Sequence, residues 1–374
     1  MRVAVVRETR PQEKRVALVP ELVGRLTGAG LDVVVETGAG LTAFHTDDAY
    51  RDAGADVRDD VLEGSDVILS VQPLDPVRVA NLKPGAITLS FIPTASELEF
   101  VRQARDAGVT ACAMELVPRI SRAQSMDALT SQALVAGYRA VLVAAERLPR
   151  FFPLSMTAAG TVPPAQALVL GAGVAGLQAI ATARRLGARV DAYDVRAASA
   201  EEIRSLGARF VELDLPSLEG AGGYAREMTE ERAQQQRDLL APYVTAADVV
   251  ITTAAVPGRS APLLVERDAV EAMKPGSVVV DLAAESGGNV EGSRPGEELT
   301  VGQTLLWGGA NVPSQLPVHA SRLYAANLVN LILLMTSEGE ITVDLDDEII
   351  DGVCVTHDGT VRHEPTRASL EEEG

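Results

Sequence analysis

The chain has 374 residues, 47% hydrophobic and 23% charged, with 32 glycines and few aromatics. That is enough for two domains that each bury a core without disulfide or metal support. Its 33 basic against 52 acidic residues leave a formal charge of −19, a field that repels nucleic acid and anionic lipid and argues against a DNA- or RNA-binding role.

The opening MRVAVVRETR shows no apolar leader, and Cys112 and Cys354 lie in strand-like apolar runs. The expectation is a cytoplasmic protein with reduced, buried thiols and no inserted helix. Short β-branched runs follow at Val3 to Val6, Val33 to Glu36, Val67 to Val71, Ile87 to Phe91 and Thr110 to Glu115, with helical patterns between them. This alternation predicts a doubly wound parallel sheet. A helix is predicted from Ser125 to Arg147, where apolar residues recur at helical spacing. A second α/β series runs through Ala167 to Leu170, Val190 to Tyr193, Phe210 to Leu213, Val249 to Thr253, Val278 to Leu282 and Thr304 to Trp307.

Another helix, Ala320 to Ser337, would return the chain to its first domain. The expected division is 1–125 plus 320–374 for one domain and 126–319 for the other, the connecting helix included. The two longest apolar stretches, Ala133 to Ala145 and Leu323 to Met335, fall short of the roughly 20 residues a membrane span needs. Asp358 and Gly359 between Val353 to Thr356 and Thr360 to Arg362 signal a C-terminal β-hairpin. The final EEEG is expected to fray. An acidic run at Asp344, Asp346 and Asp347 lacks the glycine and terminal glutamate of a calcium loop and is expected to be solvated.

Only the second series carries a glycine-rich turn, and it has the full strand, turn, helix, strand context in QALVLGAGVAGLQAIATARRLGARVDAYD. Gly171 allows the tight turn, Gly173 lets the backbone approach a pyrophosphate, and Gly176 lets helix and strand pack closely. Val174 and Ala175 open a helix whose free N–H groups and dipole favour phosphate. These features predict two Rossmann-like domains, of which the second holds a dinucleotide. Asp194 stands 18 residues past Gly176 at the end of the next strand, placed to accept from the adenosine ribose and to repel a 2′-phosphate, which favours NAD(H). Val195 and Arg196 follow it; an arginine there can also hold a 2′-phosphate. Thr253, Ala254 and Glu285 sit at carboxyl ends of later strands, where ligands of open parallel sheets bind. Each is also compatible with a plain turn.

Several segments are more specific than a generic nucleotide fold: RETRPQEKRVALVP, PRISRAQSMDALTSQALVAGYRAVLVAA, MTAAGTVPPAQALVLGAGVAGLQAIATARRLGA, AGGYAREM, ITTAAVPGRSAP and MKPGSVVVDLAAESGGN. Together they cover nearly the whole chain and resemble the NAD(H)-binding component of proton-translocating nicotinamide nucleotide transhydrogenase, split-subunit type, within the alanine dehydrogenase/transhydrogenase superfamily. The resemblance implies hydride transfer between NAD(H) here and NADP(H) on a partner subunit, with a membrane subunit moving protons. It implies that Arg119 holds the nicotinamide carboxamide, Asp127 binds its ribose and Gln124 reaches toward the NADP(H). Thr130 replaces a family serine and keeps the hydroxyl. Tyr224 matches the tyrosine of a mobile loop that closes over the cofactor, within a run from Glu219 to Gln236 suited to a surface lid. The resemblance further implies a homodimer built through residues around Thr157 to Pro164 and the first half of the long helix, held at the inner membrane by its partner subunits.

Alanine dehydrogenase has the same architecture and is the competing reading. It needs a lysine and a histidine to handle an amino or keto acid, and an arginine for the carboxylate. Arg15 is retained, but Gln72 and Pro93 stand at the other two positions, and neither exchanges a proton near neutral pH. A non-catalytic NAD(H) sensor is the remaining alternative. Direct hydride transfer needs only two rings held in contact and shielded from water, so a site of Arg, Gln, Asp and Thr suits it.

Overall fold

The computed structural model describes residues 1–215, 229–256 and 260–372. The chain divides into two compact units, Met1–Gln132 with Pro313–Gly374, and Ala133–Val312. In the first, β1 (Arg2–Val5), β2 (Asp32–Glu36), β3 (Asp56–Arg58), β4 (Val67–Leu69), β5 (Ile87–Ser90) and β6 (Thr110–Ala113) form parallel pairs in the order β3-β2-β1-β4-β5-β6. This is the doubly wound order, with its switch point between β1 and β4. Apolar clusters cover both faces, Val3, Val5 and Leu69 on one and Ala4, Ile68 and Val101 on the other. That is why these strands read as unbroken aliphatic runs rather than alternating ones.

β4, β5 and β6 each end before the apolar run does, at Leu69, Ser90 and Ala113. Side chains take over the backbone donors there. Val71 and Gln72 N–H both donate to Glu8, at 2.5 and 3.2 Å, and Ile92 N–H donates to Glu115 at 2.9 Å. Met114–Leu116 then turns as a 3₁₀ helix instead of extending β6. The switch point of this first sheet is thus closed by the chain's own carboxylate, Glu8, bridging the exits of β1 and β4.

After the connecting helix, the second unit carries an exposed hairpin, β7 (Ser155–Thr157) and β8 (Gly160–Val162), which no hydrophobic pattern announces. Its main sheet uses β9 (Gln166–Leu170), β10 (Arg189–Tyr193), β11 (Arg209–Phe210), β12 (Val249–Thr252), β13 (Val278–Asp281), β14 (Glu298–Val301) and β15 (Thr304–Gly308). The order is β11-β10-β9-β12-β13-β15-β14, parallel except for β14. The switch point lies between β9 and β12. β11 is shorter than the run Phe210 to Leu213, as befits an edge strand with one neighbour.

The connecting helix spans Ala128–Arg147, starting later than Ser125 because Ser121–Met126 forms a 3₁₀ helix and Asp127 caps the α-helix after it. Asp127 accepts from the backbone N–H of Thr130 at 2.8 Å, an N-cap bond. The return helix spans Pro317–Met335 and starts earlier than Ala320, with proline in its first turn, where a missing N–H costs nothing. Contrary to the reading of the apolar stretches, both helices are long and apolar enough to cross a membrane by length and composition. Roughly half of each lies inside the protein, 44% and 56% of the respective apolar windows, so core packing accounts for their hydrophobicity.

After the return helix come a short hairpin, β16 (Thr336–Ser337) and β17 (Glu340–Ile341), a helix Glu348–Val353, then β18 (Cys354–His357) and β19 (Thr360–Val361). β18 pairs antiparallel with β6 and completes the first sheet. The hairpin turn holds Asp358 and Gly359 at φ 46° and 70°, the left-handed pair that a tight two-residue turn requires. One expectation fails here. Asp347 is not simply solvated: it caps the helix Glu348–Val353 through Ile349 N–H at 2.8 Å and pairs with Arg122. Of the final EEEG, the first two residues end the helix Glu364–Glu372 and the last two lie outside the described residues.

Candidate functional site

The glycine turn sits at the switch point of the second sheet, and its three glycines differ in what surrounds them. Gly171 has φ +101°, and a Cβ there would stand 2.6 Å from Thr253 Oγ1. At Gly176 a Cβ would overlap the Gly171 carbonyl oxygen outright, with the carbonyl carbon at 2.8 Å. Gly173 alone faces open space, with nothing within 4 Å of a Cβ. No side chain caps the helix Val174–Arg185 that starts there, so its first N–H groups are left for an anion. The open face at Gly173 and the uncapped helix fit a dinucleotide pyrophosphate. Gly137 of the connecting helix abuts the backbone of Ala175 so closely that a side chain would collide with it.

Around the turn the structure gathers Thr253, Ala254, Asp194 and Arg196. Thr253 N–H donates to Leu170 O at 2.8 Å and its hydroxyl to Gly171 O at 3.2 Å, tying the end of β12 to the turn. Asp194 accepts from Ala172 N–H at 2.7 Å, from Arg196 N–H at 2.9 Å and from the Arg196 guanidinium at 2.8 and 3.0 Å. Burial opposes its charge, but these donors outweigh burial and hold the carboxyl below the usual range. Val195 packs against the core beside Tyr193. Glu285 is exposed and accepts from Asn311 N–H at 3.0 Å, one loop further along.

Two supporting groups stand out here. Asn289 exchanges bonds with Ala254, accepting its N–H at 3.0 Å and donating to its carbonyl at 2.9 Å. Fully buried Asp281 accepts from Thr252 Oγ1 and Ala283 N–H, both at 2.9 Å, and from Asn289 N–H at 3.0 Å. No motif singles out either residue; the legible signal for Asp281 is a carboxylate ending an otherwise all-valine strand.

Arg119, Gln124, Asp127 and Thr130 belong to the first unit. Arg119 and Gln124 are exposed, and Asp127 is half-buried with Thr130 N–H and Oγ1 on its two oxygens, the latter at 2.6 Å. The Asp127 carboxylate is thus a helix cap as well as a candidate ligand group. Tyr224 lies outside the described residues, as does most of the lid run from Glu219 to Gln236.

Arg15 is buried against Glu13, with bonds of 2.8 and 2.7 Å, and donates to Gln132 at 2.9 Å. Gln72 donates to the same Glu13 carboxylate at 2.8 Å. Burial works against the charge on Glu13, yet Arg15 and Gln72 outweigh it and bring the carboxyl to about 2. Glu8 and Glu115 behave oppositely: burial pushes each up to about 7. No motif announces these two acids, yet their oxygens already accept backbone N–H groups of Val71, Gln72 and Ile92. Pro93 serves a local turn, its carbonyl accepting from Ser96. Among the described residues, no group of His, Cys, Asp and Glu is arranged to hold a metal ion.

Comparison with known proteins gives matches along nearly the full length. Residues 4–136 match the family described as "Alanine dehydrogenase/PNT, N-terminal domain", and residues 140–364 its C-terminal domain. The chain is 46% identical to the first part of the NAD(P) transhydrogenase alpha subunit of Rhodospirillum rubrum, over 97% of this chain and 98% of that one. It is 30% identical to the "Alanine dehydrogenase" of Mycobacterium tuberculosis, over 99% and 97% respectively. The crystal structure of transhydrogenase from Sinorhizobium meliloti superposes with a TM-score of 0.88 at 44% identity, covering 96% of this chain and all of that one. With two Rossmann-type sheets, one glycine turn at a switch point and these full-length matches, the chain belongs to the alanine dehydrogenase/transhydrogenase family.

Proposed function

We propose that this chain is the NAD(H)-binding component of a proton-translocating NAD(P) transhydrogenase, active with an NADP(H)-binding subunit and a membrane subunit. The chemistry belongs to the nucleotides: hydride passes directly between two nicotinamide rings, and the protein binds, orients and excludes water. Gly171, Gly173, Val174, Ala175 and Gly176 would hold the pyrophosphate, and Asp194, Val195 and Arg196 the adenosine ribose. Thr253, Ala254 and Glu285 would border the cofactor. Arg119 would take the carboxamide, Asp127 and Thr130 the nicotinamide ribose, and Gln124 would face the partner's NADP(H). Tyr224 would act as the lid tyrosine. Nucleotide binding falls to the domain expected over 126–319, and 1–125 with 320–374 forms the other Rossmann-like domain. NAD(H) is preferred because Asp194 would repel a 2′-phosphate and already occupies Arg196.

The observation that carries this reading over an amino-acid dehydrogenase is Gln72, an amide committed to the Glu13–Arg15 pair where a proton-exchanging group is needed. A homodimer is supported by exposed apolar residues beside the β7–β8 hairpin, with Phe151, Leu154 and Met156 at 59, 53 and 74% exposure. Such a complex would hold the chain at the cytoplasmic face of the inner membrane through its partners. The test mixes this chain with the NADP(H)-binding component of a related transhydrogenase and follows exchange from NADH to an oxidised nicotinamide analogue. Exchange that requires NADP(H) is expected; tight NADH binding without exchange refutes the reading. NADH oxidation driven by pyruvate and ammonium would favour the dehydrogenase instead.

A further inference from the structure

The segment that bears Gln124 and Asp127 cannot hold its own shape. Ser121–Met126 is a 3₁₀ helix of two turns, a geometry with poor internal hydrogen bonds. At three residues per turn its side chains fall into three rows. Ala123 and Met126 form the buried row, at 0 and 6% exposure. Gln124, continued by Asp127, forms the row facing outward. Arg122 and Ser125 form the third row, and that row is gripped from outside the segment.

The grip has two parts. Asp347 clasps Arg122 in a two-pronged pair at 2.6 and 3.0 Å while also capping its own helix. Asn327 and Asn330, three residues apart and so on one face of the return helix, both donate to the Ser125 carbonyl at 2.9 Å. A carbonyl only accepts, which fixes the amide orientation of both asparagines. Asn330 is anchored in turn by Arg25, which donates to its Oδ1 at 3.0 Å. Asn327 is buried and directs its Nδ2 to this one carbonyl, its Oδ1 meeting no donor among the described residues. A buried amide so used has little role other than to fix Ser125.

We propose that Asp347, Asn327 and Asn330 are positioning residues that set the rotation of the 121–126 turn and hence where Gln124 and Asp127 stand for hydride transfer. This rests on the transhydrogenase reading above. None of the three would touch the nucleotide; each acts through Arg122 or Ser125. A slip of about 1 Å in a reacting geometry costs up to about a hundredfold in rate, whereas dinucleotide affinity is anchored chiefly at the pyrophosphate turn.

The experiment uses the full chain with the NADP(H)-binding component. Asp347→Asn keeps a competent cap but weakens the ion pair, and Asn330→Asp turns a donor on Ser125 into an acceptor while leaving Arg25 its partner. The double variant is made as well. For each, hydride-transfer rate, NADH dissociation constant and melting midpoint are measured beside wild type. Transfer is expected to fall about tenfold in each single variant and toward a hundredfold in the double, with NADH affinity within about threefold and the midpoint nearly unchanged. Arg122→Lys, which loses the two-pronged geometry, should reproduce the Asp347→Asn split. If wild type transfers and the variants do so within about twofold of it, the positioning role is wrong and the transhydrogenase reading stands. Loss of transfer, affinity and stability in proportion would also overturn it, as a merely structural effect. No transfer by wild type would sink both.

Discussion

Replacing Gly173 and Gly176 separately by alanine distinguishes space kept for a ligand from space used in packing. At Gly173 the backbone is extended, φ −73° and ψ −172°, which alanine adopts freely, and nothing lies within 4 Å of the new methyl. Gly173→Ala should therefore leave stability unchanged or raise it by about 0.4–1 kcal/mol through the unfolded chain. The methyl would occupy the approach of the pyrophosphate. Displacing it would lose one or two charge-assisted bonds of about 1.5–3 kcal/mol each, or about a hundredfold in NADH affinity at 3 kcal/mol. Gly176→Ala meets the Gly171 carbonyl and, at 3.1 Å, Thr253 Oγ1. The helix must shift, at about 1–3 kcal/mol, and the melting midpoint should drop by several degrees. Isothermal titration with NADH and a thermal melt of each variant read both quantities. A Gly173→Ala protein that binds NADH within about threefold of wild type would refute the assignment of that space to the pyrophosphate.

Further outcomes are expected elsewhere in the molecule. Glu8 and Glu115 titrate near 7 in the folded chain against 4.5 for an ordinary glutamate, so the native state holds extra protons between those values and their contribution to stability falls as pH rises through that window. Urea melts from pH 4.5 to 8 should show that decline, and Glu8→Gln with Glu115→Gln should flatten it; an unchanged slope would mean these carboxyls are not protonated as described. Arg15→Met leaves Glu13 buried without its cation and should destabilise by about 3–5 kcal/mol, measured by denaturant unfolding at neutral pH. Asp194→Ser should take that carboxylate away from Arg196 and shift preference from NADH toward NADPH by about tenfold in parallel titrations; unchanged selectivity would remove Asp194 from cofactor choice. If the proposed homodimer forms through this hairpin, wild type should sediment as a dimer and Met156→Glu as a monomer at the same concentration in analytical ultracentrifugation; equal sedimentation of the two would remove the hairpin from the interface.

The sheets are readable because their strands are covered on both faces, so aliphatic runs such as Val278 to Leu282 stand out without alternation. Strand ends are less readable. Where β4 and β5 stop depends on Glu8 and Glu115 reaching across from other segments, which no local pattern encodes. β14 and the β7–β8 hairpin escape for the opposite reason: they are short and largely exposed, so burial writes no signature in them. The glycine turn is legible as a motif, but only the surroundings separate Gly173, which faces space, from Gly171 and Gly176, which face Thr253 and the turn itself. Asp127 reads as a ligand group and also proves to be a helix cap. Arg122 carries no signal in the sequence, because its value comes from Asp347, 225 residues along the chain.

The two sheets share a strand order but differ in what lies at the point where that order reverses. In one, Gly173 faces open space at the start of an uncapped helix; in the other, Glu8 bridges the exits of two strands with both oxygens taken. Duplication of an architecture here did not duplicate a vacancy. A nucleotide entering at the first switch point would have to break those backbone bonds and meet a buried carboxyl, so saturation should come at one nucleotide per chain. In any assembly containing this protein, counting copies of the chain would then count the nucleotides it holds.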